Sequence, residues 1–171
     1  RDFKKILGKK SGYHFVRNIR SKQAEQIESH YDLGNDFYEL WLDKAMVYTC
    51  GYFRKATDSL DTAQEQKLDH VIKKLQLSKG QEFIDLGCGW GGLVIRAAKE
   101  FGAKGISVTL SKEQYEYAKE RAKKEGVEKL VKFYHMSYQD APTLGKTFDR
   151  VISVGMLEHV GRSNHREFFE T

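Results

Sequence analysis

The sequence predicts an α/β protein with a parallel, Rossmann-like sheet, preceded by a helical segment. Three observations carry this. From residue 80 onward, short apolar runs alternate with helical patterns, and strands separated by helices of that length form βαβ crossovers. A glycine-rich turn, Gly87-Cys88-Gly89-Trp90-Gly91-Gly92, stands where the first strand becomes a helix. Before residue 80 the apolar residues recur at helical spacing instead.

Length and composition are compatible with that fold. The 171 residues suffice for one core, and 40% hydrophobic with 31% charged residues is an ordinary globular balance. No apolar run reaches the 18 residues of a membrane-spanning helix. The basic N-terminus has no apolar stretch of a secretory leader. Cys50 and Cys88 alone make neither a disulfide framework nor a zinc site, and six histidines show no i, i+4 metal pair. A cytoplasmic setting and no metal are expected. The net charge of +5 is uneven. Residues 1–24 hold eight Lys/Arg and one acid, leaving 21 basic and 23 acidic groups in the remainder. The arm suits an anionic surface, nucleic acid or anionic lipid, or is a solvated tail. The domain proper is net acidic with no identifiable basic face, which argues against nucleic acid.

Three regions follow: a basic arm or linker at 1–24, a helical cap at 25–79 and the core at 80–171. Residues 20–44 read as a helical pair broken near Leu33-Gly34-Asn35-Asp36, after which Phe37, Leu40 and Trp41 share one helix face. Residues 62–77 carry the clearest stripe, Leu68, Val71, Ile72 and Leu75, with Asp61 or Thr62 as N-cap and Gly80 beyond the end. Strands are expected at 81–86, 104–110, 131–136 and 148–154. Helices are expected at 93–101 and from the Ser111 cap to about Gly126. A doubly wound sheet usually has more than four strands, and Arg166–Thr171 lies inside an amphipathic pattern. A fragment of a longer protein, lacking its C-terminal strands, is the expectation.

The glycine turn allows close approach of a ligand to backbone, beside a helix N-terminus that favours negative charge. Gly87, Gly89 and Gly92 satisfy the dinucleotide pattern G-x-G-x-x-G. Asp85-x-Gly87-x-Gly89-x-Gly91 resembles the S-adenosylmethionine methyltransferase signature. The dinucleotide reading wants an acid at the end of the next strand, which here reads Val108-Thr109-Leu110-Ser111. The methyltransferase reading is favoured.

Five ordered blocks extend that resemblance: His30–Tyr38, Val47–Phe53, Asp85–Gly91, Thr109–Gln114 and Val154–Gly161. Together they resemble the cyclopropane-fatty-acyl-phospholipid synthases and mycolic acid cyclopropane synthases, over residues 28–171. The resemblance implies a class I methyltransferase sheet whose first four strands run 3-2-1-4. It implies methylene transfer from S-adenosylmethionine to cis double bonds of phospholipid acyl chains, at the inner face of the membrane. Carried over, Tyr48, Thr49, Asp85, Gly87, Gly89, Gly91, Thr109, Leu110, Gln114, Tyr138 and Gln139 would meet the cofactor. Cys50 and Glu158 would belong to the catalytic site, beside a bicarbonate ion serving as general base. Each has a plainer alternative: Cys50 as a small buried hydrophobe, Glu158 as a cap partner, Tyr138 as core, Cys88 and His159 as packing. The family's further bicarbonate ligands, a histidine and a tyrosine, fall beyond Thr171. Asp140 competes with Gln139 at the adenine edge. The same fold acting on another lipid or a small amine, or a fragment that only binds the cofactor, are the rival functions. The fourth strand, apolar at Val151, Ile152 and Val154, is an open edge able to pair with a second copy.

Overall fold

A computed structural model describes residues 34–171. The basic arm and the first helix of the 20–44 pair lie outside the described residues. Helix α1 is Asn35–Glu39 and α2 is Leu60–Leu75. The core then runs β1 (Glu82–Leu86), α3 (Gly92–Phe101), β2 (Lys104–Thr109), α4 (Lys112–Lys124) and β3 (Val131–His135). A 3-10 segment at Tyr138–Leu144 leads to β4 (Arg150–Ile152), then α5 (Leu157–Val160) and α6 (His165–Glu170). Among the described residues the sheet has four parallel strands in the order β3-β2-β1-β4, as expected. No helix among them is long and apolar enough to cross a membrane.

Successive strand residues face opposite sides, and each side has its own core. Phe83, Val131 and Phe133 meet α2, α3 and α4 through Leu68, Ile72, Val94 and Ala118. Ile84, Leu86, Ile106 and Val108 face Tyr138, Ala141 and Val160 on the other side. A third, smaller cluster of Tyr38, Met46 and Trp90 joins the cap to the sheet.

Local chemistry sets the boundaries. Ser111 caps α4, its Oγ accepting from the Gln114 amide at 3.2 Å, as the sequence predicts. At α2 the cap is Ser59, whose Oγ accepts from Thr62 N at 3.2 Å, rather than Asp61 or Thr62. Asp61 instead accepts from Lys44 N at 2.9 Å. The helix ends at Gln76, in the left-handed region at φ 48°, before Gly80 is reached. Strand β4 is shorter than the expected 148–154, and side chains bond to β1 just beyond both its ends. Asp149 accepts from Glu82 N at 2.8 Å, and Ser153 Oγ donates to Leu86 O at 2.8 Å.

The largest departure is at residues 35–44. No apolar face of Phe37, Leu40 and Trp41 is buried; Leu40 is 81% exposed. Tyr38 is the buried residue, its ring 4.9 Å from that of Trp90. Asp43 then turns the chain away, accepting from Ala45 N and Val47 N at 2.8 Å each.

Candidate functional site

A cavity of about 370 Å³ opens at the carboxyl ends of β1 and β2, where open parallel sheets bind ligands. One wall is the sheet and its glycine turn. Gly87 N and Cys88 N both donate to Val108 O, at 3.1 and 3.2 Å, so the turn is an extension of the β1–β2 pair. Gly89, at φ +53°, lines the cavity, and a Cβ there would meet nothing within 4 Å. It would project into open space, so the glycine leaves a cradle for a ligand. Beside it, Thr109 Oγ1 donates to Gln114 Oε1 at 2.9 Å and accepts from Ser111 N at 3.2 Å. This closed, buried network fixes both side chains at the start of α4.

The opposite wall is the cap segment at 46–49. Among the described residues it has no strand partner, and it is held by side chains of α2 and α4. Gln64 Nε2 donates to Val47 O at 3.1 Å and to Thr49 O at 2.7 Å. Lys67 Nζ donates to Thr49 Oγ1. From α4, distant in sequence, Arg121 Nη1 donates to Ala45 O at 2.7 Å. Tyr48 lies at the mouth, 43% exposed, packed edge-on against Trp41 at 5.1 Å. Trp90 is 2% exposed and donates from Nε1 to Asn35 Oδ1 at 2.6 Å, fastening α1 to the glycine turn.

Burial dominates the electrostatics. Desolvation pushes the Asp85 carboxyl up to about 7, because little water remains to solvate its charge. The Cys88 thiol is pushed up by its own burial and by the Asp85 charge, which makes it inert. Desolvation lowers Lys67 to about 8, opposed by the Asp43 and Cys50 charges.

Nine of the thirteen expected site residues line this cavity: Tyr48 and Thr49 from the cap, Asp85, Gly87 and Gly89 from the first motif, and Thr109, Leu110, Gln114 and Tyr138. Four do not. Gly91 is a packing glycine: a Cβ on it would stand 3.0 Å from both Ala118 Cβ and Phe133 Cε1. Gln139 turns outward, donating from Nε2 to Glu167 Oε2 at 2.9 Å. Cys50 is exposed, not the buried small residue of its plainer alternative, and Glu158 is exposed on α5. His159 does line the cavity. Sequence reasoning missed Lys67 and Trp90. The signal for Lys67 was present: the α2 stripe Leu68–Val71 continued back one turn reaches Gln64 and Lys67, polar residues at core-facing positions.

The family model for mycolic acid cyclopropane synthetase matches residues 18–171. The chain is 50% identical over 141 residues to a probable fatty acid methyltransferase of Pseudomonas putida, covering 82% of this chain and 36% of that protein. It is 42% identical over 154 residues to the cyclopropane-fatty-acyl-phospholipid synthase of Escherichia coli K12, covering 89% and 38%. The solved structure of mycolic acid cyclopropane synthase CmaA1 complexed with SAH and CTAB superposes with a TM-score of 0.80 at 30% identity. That match covers 85% of this chain and 50% of the other.

Proposed function

The chain belongs to the mycolic acid cyclopropane synthetase family, and from that premise we propose that it is the cofactor-binding part of an S-adenosylmethionine-dependent methyltransferase acting on lipid acyl chains. One observation carries the reading. The open cradle at Gly89 shares one cavity with the locked Thr109–Gln114 pair, and β2 ends without the acid that a nicotinamide ribose would need. The lining fits the cofactor: the backbone of the turn at Gly89 for its amino acid end, Thr109 and Gln114 for its polar middle, Tyr138 for its base.

Bound there, S-adenosylmethionine supplies an electrophilic methyl group on a sulfonium. An isolated alkene is a weak nucleophile, so this chain's contribution is to align the two and exclude water. Leu68, Val71, Leu93, Met136 and Met156 line the cavity with apolar surface suited to that task. Cyclopropanation of phospholipid acyl chains is the finer proposal. It follows the Escherichia coli relative's name, while the names of the other relatives allow a methylated fatty acid or mycolic acid product. For bicarbonate, Cys50 and Glu158 both stand outside the cavity lining, and Glu158, itself a carboxylate, meets that anion only by accepting its hydroxyl proton. The basic residues at 1–24 suit anionic headgroups, which supports a membrane surface, on its cytoplasmic side, as the place of action.

Titration of the protein with S-adenosylhomocysteine and with NAD tests the cofactor. Binding of the first and not the second is expected, and tighter NAD binding overturns the reading. Incubation with phospholipid vesicles and methyl-labelled S-adenosylmethionine, then mass spectrometry of the acyl chains, separates a cyclopropane ring from a methyl branch.

A further inference from the structure

Lys67 is the one lysine or arginine lining the cavity among the described residues, and it is only 8% exposed. Burying an ammonium is costly unless an anion or several acceptors replace its water. Its hydrogen bond goes to a neutral hydroxyl, Thr49 Oγ1. The nearby carboxylate, Asp43, is engaged elsewhere: Oδ1 accepts from Val47 N and Oδ2 from Ala45 N. A lysine ammonium has three N–H donors, and a hydroxyl that accepts from it retains its own O–H to give. Thr49 and Lys67 therefore present adjacent donors on the cavity wall, a match for the two oxygens of a carboxylate. Gln64 grips the backbone of the same residue at Thr49 O, so the pair is built in place.

We propose that Lys67, with Thr49, receives the carboxylate of the cofactor's amino acid end. This rests on the methyltransferase reading and adds the group that recognises the cofactor as an amino acid. The pair stands on the cap wall, while the glycine turn lines the opposite side of the same cavity. The zwitterionic end of the ligand would thus bridge the two walls. Lys67 is a binding residue with no part in moving a proton.

The test compares S-adenosylhomocysteine with its decarboxylated analogue, which keeps the amine and lacks the carboxylate, by calorimetric titration. The wild-type protein is expected to prefer S-adenosylhomocysteine on the order of tenfold to a hundredfold, the range of a charge-assisted hydrogen bond. Lys67→Met should bring the two ligands to within about threefold of each other, and Lys67→Arg should restore a preference. Lys67→Gln keeps a donor toward Thr49 without the charge, and gives the same comparison if the methionine variant does not fold. An undiminished preference in either uncharged variant overturns the assignment, as does a wild-type protein that binds both ligands equally. A bicarbonate arm separates the other source of such an anion: bicarbonate that competes with S-adenosylhomocysteine through Lys67 also overturns it. Failure of the wild type to bind either ligand overturns both this assignment and the methyltransferase reading.

Discussion

The two walls of the cavity are held by different kinds of bond. The sheet wall is a continuation of parallel strand pairing, with the glycine turn pinned by two backbone hydrogen bonds to Val108 O. The cap wall has no ladder. It hangs on Gln64, Lys67, Arg121 and Asp43 side chains, and on the Tyr38–Trp90 contact. A ladder is cooperative and resists the loss of any one side chain, whereas separate side-chain ties can be cut singly. The sheet wall therefore defines where the ligand sits, and the cap wall defines how tightly the cavity is closed over it.

Four changes would break or sharpen that contrast. The largest effect on the ligand is expected from Gly89→Leu, whose side chain would occupy the cradle. S-adenosylhomocysteine binding should become undetectable by calorimetry, while the left-handed backbone costs only about 1–2 kcal/mol of stability. If binding survives, the cradle is not the ligand's path. Trp90→Ala should be the most damaging to stability, about 3–5 kcal/mol by denaturant titration, since it empties the joint between cap and sheet. A loss under about 1 kcal/mol would show that the cap is held by its polar ties alone.

The third change is pH. Burial pushes the Asp85 carboxyl up to about 7 in the folded chain, from an ordinary 3.8. Below the unfolded value both states are protonated and there is no penalty. As pH rises from about 4 to 7 the unfolded chain ionises first, so the native state loses stability, by up to about 4 kcal/mol, and the loss levels off above 7. Asp85→Asn should flatten this slope in urea titrations across that range, and an unchanged slope would show that Asp85 is not its source. The smallest effect is expected from Gln64→Leu. It removes two hydrogen bonds and should lower stability by about 1–2 kcal/mol. It should also weaken ligand binding, measured by thermal shift, without altering the sheet.

The same contrast decides what was legible in the sequence. The sheet wall depends on local signals: apolar runs, a glycine turn, and Ser111 capping its own helix. Strand order came from resemblance to a family, and the sheet has that order. The cap wall depends on contacts between distant positions, such as Trp90 with Asn35 and Arg121 with Ala45, which no periodicity encodes. Phe37, Leu40 and Trp41 have helical spacing, yet the burial of Tyr38 against Trp90 outweighs it. Gly91 belongs to the cofactor motif by spacing, but its role is set by Ala118 and Phe133, far along the chain. The side-chain bonds of Asp149 and Ser153 to β1 are likewise contacts that hydrophobicity cannot reveal.

The two cysteines differ in a way that gives the cavity a built-in reporter position. Cys88 is half-buried in the turn, and desolvation holds its thiol protonated, so a maleimide finds little thiolate there. Cys50 is exposed and directly follows Thr49. A single fluorophore placed by simple alkylation would therefore sit one residue from the cap wall. Its emission would report a ligand arriving beside that wall, on a chain that needs no engineered attachment point.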